Sequence, residues 1–173
     1  LSSAVDVDAA VLAAHSAYTV WSRTSYIERA AKLNEVADYL ETGQDDVDQR
    51  ARLFCREHGK PIKETHLEVS RLGDRFRTTA AYADRLASDE IEHGPPFDTI
   101  ITRQPRGVAT LIVPWNWPLS ILGAKLPQAL MAGNTVVVKP SERSVLAPSI
   151  TLQKIAEMFP PGVINIVTGH AAE

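Results

Sequence analysis

Along this chain the spacing of apolar positions changes once, from a helical period to short unbroken runs, and the change divides the chain into two kinds of structure. In residues 6–20, Val7, Ala10, Val11, Ala14 and Tyr18 recur at helical spacing and predict a first helix, with Trp21 plugging it onto the next. Ser25 and Glu28 form a capping box, and Ile27, Ala30, Ala31, Leu33, Val36, Ala37 and Leu40 follow in helical register as far as Gly43. Asp45 or Asp46 is expected to cap a third helix carrying Val47, Ala51, Leu53 and Phe54, which stops at Gly59 with Pro61 just beyond. A longer fourth helix over 65–87 offers Leu67, Leu72, Phe76, Ala80 and Leu86 to a partner.

Residues 88–96 end in a proline-rich break, and beyond it the pattern is that of strands. Residues 97–103 alternate as a strand, and Gln104-Pro105-Arg106-Gly107 is a turn into an apolar run at 108–113. Pro114 cuts that run off, and a second run at 135–138 is cut off by Lys139 and Pro140. The intervening helical segment, 119–132, contains Pro127, which either kinks the helix or opens its second part; the kink is the favoured expectation. A further helix over 147–158, an FPPG stop and a third apolar run at 163–167 complete a βαβαβ pattern. The expected fold is therefore α/β: a helical layer over 1–96, then one half of a doubly wound parallel sheet over 108–173. In such a sheet ligands gather beyond the carboxyl ends of the strands, which here hold Trp115, Asn116, Lys139, Ser141 and Glu142.

Composition narrows the function. The 173 residues include 18 basic and 21 acidic ones, a net charge of −3, and this balance offers no basic surface for nucleic acid or an anionic membrane. The single cysteine, Cys55, excludes an internal disulfide framework and fits a reducing, cytoplasmic compartment. No signal peptide or membrane span is expected in these residues. No metal site is expected either, since the five histidines contain no HExxH and only one C-x-x-H.

Spacing alone leaves the chemistry of the strand ends open. Asn116 is either a neutral, fixed donor to a developing oxyanion or an asparagine that caps the following segment or closes an Asx turn. Lys139, Ser141 and Glu142 either meet the ribose hydroxyls of a nucleotide or form a solvated loop with a surface ion pair. Lys125, among apolar neighbours, either turns its ammonium to the same crevice or snorkels to solvent. Cys55 lies in a helix far from these ends and is read as an inert thiol. Neither a P-loop nor a G-x-G-x-x-G fingerprint is present, so a nucleotide would be held in another way.

The segments VPWNWPL, AKLPQALMAGNTVVVKPSE and PPGVINIVTG, in this order, resemble the aldehyde dehydrogenase superfamily, and ERAAKLNEVADYLE and REHGKPIKET resemble its early helices. The resemblance covers essentially the whole chain and implies a partial Rossmann-type NAD(P)-binding domain. It implies that Asn116 helps hold the oxyanion of a thiohemiacetal and that Lys125 stands near the catalytic centre. It further implies that Lys139 and Glu142 contact the adenosine ribose of NAD, NADP being the other possibility, and that Val113, Pro114 and Trp115 line the cofactor crevice. Residues 97–107 resemble the family's oligomerisation sheet, so a homo-oligomer, dimer or tetramer, is expected. Two departures are Trp117, where phenylalanine is usual, and Ala171, where the family often has a second glycine. The family's nucleophilic cysteine and general-base glutamate lie beyond the matched region, and its N-terminal strands lie before it, so the chain resembles an internal piece, completed by the rest of the enzyme. The expected function is oxidation of an aldehyde substrate to a carboxylic acid by the parent enzyme. The alternatives are a non-catalytic structural or interaction chain and one half of a split enzyme.

Overall fold

The computed structural model describes residues 1–170, apart from the side chains of Gln44 and Asp45. An Asp45 cap and the Ala171 departure thus lie outside the described residues. Helix α1, Ala4–Trp21, starts earlier than its apolar spacing suggests because Ser3 caps it. The Asp6 carboxylate accepts from the Ser3 N–H at 2.7 Å, completing a second capping box. Trp21, its last residue, is buried; its indole N–H donates to the Leu130 carbonyl at 3.2 Å and its ring meets Phe159 edge-on.

Helix α2, Tyr26–Glu41, has the expected Ser25/Glu28 box and buries Ala30, Leu33, Val36, Ala37 and Leu40. Ile27, expected on that face, is 54% exposed, and Arg29 is buried instead, its guanidinium 4.4 Å from the Tyr26 ring. Helix α3, Gln44–His58, starts after Gly43 in a left-handed conformation, so Asp46 is not its cap. The Asp46 carboxylate accepts from Arg50 at 2.7 Å and from Lys154 at 3.2 Å. Gly59, with φ +76°, ends the helix as expected.

The single helix expected over 65–87 is three: α4, Ile62–Ser70, α5, Leu72–Ala80, and α6, Ala83–Ala87. The reason is packing. Helix α4 lies on α3 and α5 lies on α2, so one straight rod cannot serve both, and the chain unwinds at Arg71 (ψ −3°); a second break at Tyr82 (ψ 1°) separates α5 from α6, both of which lie on α2. Leu67, expected to face a partner, is 41% exposed. Beyond α6, β1, Glu90–Glu92, pairs antiparallel with β2, Thr99–Ile101. Strand β1 falls in the stretch read only as a break, and β2 is shorter than 97–103, leaving Phe97 outside it and exposed.

The second half follows the expected plan. Strands β3, Val108–Ile112, β4, Thr135–Lys139, and β5, Ile164–Ile166, form a parallel sheet in the order β3-β4-β5. Between β3 and β4 lie α7, Pro118–Gly123, and α8, Leu126–Met131. Pro127 opens α8 at a first-turn position, which overturns the expected kink: the chain breaks at Ala124 and Lys125, where the missing proline N–H costs nothing. Helix α9, Leu146–Ala156, joins β4 to β5. One face of the sheet presents Leu111, Val136, Val138 and Ile164 to the main core, with α8 and α9 packed there. The other face takes α1 through Ala14, Val137 and Val167, and the Thr135 hydroxyl donates to the Ala14 carbonyl at 2.9 Å. Leu126, Leu130, Leu152 and Ile155 are fully buried, each worth about 1.5–3 kcal/mol of transfer free energy. Among the described residues β3 and β5 pair only with β4, so the outer edge of each is free.

Candidate functional site

Because side chains alternate along a strand, Thr110 and Ile112 of β3 and Val137 and Lys139 of β4 point to the α1 face. There the start of α1 and the carboxyl ends of the strands border an open cleft of about 640 Å³. Its walls are mostly apolar: Val7 and Val11 from α1, Ile112, Val113 and Pro114 from β3 and its continuation, and Val167 beyond β5. Polar groups gather on one rim, where Lys139, Ser141 and Glu142 leave β4, and on Thr168 and His170 opposite. An apolar slot with a few convergent polar groups suits a flat heterocycle joined to a sugar, and the volume lies within the range of about 300–1,000 Å³ usual for ligand sites.

The rim carries charge of both signs. Lys139 Nζ stands 3.9 Å from Glu142 Oε2 and donates to the Pro140 carbonyl at 3.4 Å. Glu142 is held below its usual carboxylate value, first by a hydrogen bond from its own backbone N–H, which outweighs the opposing effect of burial, and then by Lys139, His170 and Arg143. It is therefore an anion at neutral pH, able to accept two hydroxyl donors. Ser141 accepts from the Arg143 N–H at 3.3 Å, which turns the loop toward α9.

Val113, Pro114, Lys139, Ser141 and Glu142 thus share one cleft. Trp115 and Asn116 stand outside it, on the loop that continues past Pro114, and both are exposed. Asn116 does not cap the following helix: Trp117 occupies that position and Pro118 comes next, so the capping alternative is not what the side chain does. Lys125 is exposed, and its ammonium turns back to the end of β3, donating to the Ile112 carbonyl at 3.0 Å. Its position next to the strand end follows from the break between α7 and α8. Cys55 is half-buried in α3.

Several site residues escaped the sequence. Thr110 was visible in principle as a polar break in an apolar run. Val7 and Val11 look like ordinary core positions of α1, yet each is about 40% exposed and lines the cleft. His58, Lys60 and Glu68 touch the 115–120 loop, and nothing in the local pattern signals contacts across more than fifty residues. Among the described residues no group of three or more His, Cys, Asp or Glu could hold a metal ion, and no helix is long and apolar enough to cross a membrane.

Comparison with known proteins follows the same geometry. Acetaldehyde dehydrogenase 2 of Cupriavidus necator is 39% identical over 173 residues, covering 97% of this chain and 33% of that protein. The crystal structure of an NAD-dependent aldehyde dehydrogenase from Sinorhizobium meliloti superposes with a TM-score of 0.86 at 32% identity, covering 98% of this chain and 34% of the other. Betaine aldehyde dehydrogenase from Staphylococcus aureus, solved in complex with NAD+, also gives 0.86, at 31% identity, with 98% and 34% covered. The chain spans about a third of the length of the relatives it matches. The sequence profile of the aldehyde dehydrogenase family matches residues 1–173, and with the shared fold this establishes that the chain belongs to that family.

Proposed function

We propose that this chain supplies the oxyanion donor and the adenosine half of the cofactor site to an enzyme that oxidises an aldehyde to a carboxylic acid, with NAD as the preferred acceptor and NADP as the other possibility. The observation that carries the reading is the junction at Pro114. The wall of an apolar cleft with an anionic rim passes there directly into the loop that bears an exposed, uncapping Asn116. In this reading residues 1–173 are part of the NAD(P)-binding domain, and the nucleophilic thiol and general base belong to other parts of the enzyme.

The cofactor, when bound, supplies the hydride acceptor. The chain's own residues bind and orient. Glu142 would accept from the ribose hydroxyls, with the Lys139 ammonium 3.9 Å from its carboxylate. Val113, Pro114, Val7 and Val11 would offer the heterocycle an apolar wall. Trp115 extends the wall. The Asn116 side-chain amide donates to the oxygen of the reacting carbonyl as that oxygen gains charge, a neutral donor that costs no reorganisation at that moment. Lys125, anchored on the Ile112 carbonyl, keeps a positive charge near the same strand end. The β1–β2 hairpin, with Ile91 and Ile100 more than half exposed, is proposed as the surface through which subunits associate. A cytoplasmic location is proposed from the single reduced cysteine.

The test is Asn116→Ala in the full-length enzyme. Loss of one oxyanion donor should lower kcat by about 10²–10³-fold while leaving NAD affinity unchanged. A kcat within a few-fold of the parent refutes the assignment.

A further inference from the structure

Four side chains of one short stretch, 57–68, reach the two loops that leave the carboxyl ends of β3 and β4. Glu57 accepts from the Leu146 and Ala147 N–H groups at 2.5 and 2.9 Å, capping α9 where the Lys139–Glu142 loop ends. His58 Nε2 lies 2.8 Å from the Trp115 carbonyl, and its ring stacks on the Trp115 indole with centroids 5.5 Å apart. With a carbonyl as partner, Nε2 carries the proton. Lys60 Nζ donates to the Asn116 carbonyl at 3.1 Å and to Glu68 Oε2 at 2.9 Å, and it sits 3.2 Å from the centroid of the Trp117 ring. Glu68 Oε1 accepts from the Leu119 and Ser120 N–H groups, each at 2.9 Å, and supplies the cap that Trp117 does not give α7. Gly59, with its left-handed backbone, is the hinge that lets His58 and Lys60 address successive carbonyls.

Lys60 and Glu68 are both buried, at 8% and 2% exposure. A buried ion pair is a poor way to gain stability, because desolvation offsets most of its attraction. What it does supply is direction. Apolar side chains of equal volume would fill this space without fixing where the Asn116 carbonyl points or where α7 begins. We propose that Lys60 and Glu68 are positioning residues for the oxidation reaction: together they hold the backbone on both sides of Asn116, so that its amide is fixed at the reacting carbonyl before substrate arrives. The inference rests on the assignment of Asn116 as oxyanion donor. Preorganisation is where such a donor gets its effect, and a displacement of about 1 Å can cost about a hundredfold in rate.

The experiment is a double-mutant cycle in the full-length enzyme. Lys60→Met/Glu68→Gln removes both charges, keeps the volumes, and leaves the Gln carbonyl to cap α7. Its kcat should fall by about 10–100-fold, with KM for the aldehyde and Kd for NAD within a few-fold of the parent. In the Asn116→Ala background the same pair of changes should lower kcat no further, because the donor they position is gone. A kcat within twofold of the parent overturns the proposal. So does a full additive loss on top of Asn116→Ala, which would mean the pair acts elsewhere. An unchanged kcat in Asn116→Ala alone overturns the oxyanion assignment and this inference together, and so separates the two failures. If the double variant does not fold, Lys60→Arg carries the same cycle, since it keeps the charge but moves the donor; a kcat equal to the parent's there overturns the proposal.

Discussion

Gly162 offers a measurement of how closely α1 is held against the sheet. Its φ is +87°, and a Cβ built on it would lie 2.6 Å from the Ala13 carbonyl oxygen and 3.1 Å from the Ala17 Cβ. Gly43 is a matched control, with φ +89° and only the Asp46 Cβ within reach at an ordinary 3.8 Å. Alanine at either site meets the same backbone penalty, about 1–2 kcal/mol for a left-handed residue, less about 0.4–1 kcal/mol regained from a stiffer unfolded chain. Gly43→Ala should therefore cost about 1 kcal/mol. Gly162→Ala adds an overpacking cost of about 1–3 kcal/mol, because a helix backbone, not a flexible side-chain tip, must give way. Its total should be about 2–4 kcal/mol. Urea titrations followed by tryptophan fluorescence give both numbers, and Trp21 at the end of α1 reports on the helix itself. Equal midpoints for the two variants would refute the close approach. Since α1 also contributes Val7 and Val11 to the cleft, Gly162→Ala should weaken NAD binding, whereas Gly43→Ala should not.

Glu142 should set cofactor choice: its carboxylate accepts from a ribose 2′-hydroxyl and repels a 2′-phosphate, with Lys139 giving partial compensation, so kcat/KM should favour NAD moderately. A parent that prefers NADP, or a Glu142→Gln variant with an unaltered NAD-to-NADP ratio, would count against it. The Glu28 carboxyl is held below its usual range by the Ser25 N–H and hydroxyl, so its folded value lies under its unfolded one. That stabilisation is complete above the unfolded pKa and is lost as pH falls through the folded one. The melting temperature of Ser25→Ala should therefore lie below the parent's at neutral pH, with the gap narrowing in acid; a gap that stays constant down to about pH 3 would exclude the linkage.

The elements legible in the sequence are those whose signals are local. Strands β3 and β4 announce themselves as apolar runs closed by prolines, α2 by its capping box, and the end of α3 by Gly59. What the sequence hides is whatever depends on a partner. The break at Arg71 exists because α4 and α5 lie on different helices, and Arg71 itself is no helix breaker. Arg29 falls on the buried face because it stacks against Tyr26, while Ile27 is left to solvent. Pro127 permitted two outcomes, a kink or the first turn of a new helix, and its own spacing does not choose between them. The candidate site divides in the same way. Pro114, Lys139 and Glu142 mark strand ends and could be found by spacing, whereas Lys60 and Glu68 matter through a loop more than fifty residues away.

The clasp of α1 over the sheet has a consequence for how the chain acquires its shape. Ala14 receives the Thr135 hydroxyl across 121 positions, and the Ser2 N–H donates to the Thr168 carbonyl at 2.6 Å across 166 positions. A helix of this length can form in about a microsecond, but ribosomes add only about 5–20 residues per second. Helix α1 therefore waits roughly 6–30 s after its own synthesis for the strands it must cover. Through that interval its sheet-facing alanines and valines are open to water and to other nascent chains. Within these residues a helix made early is seated late, and the cleft that it walls forms only once β4 and the residues after β5 have been made.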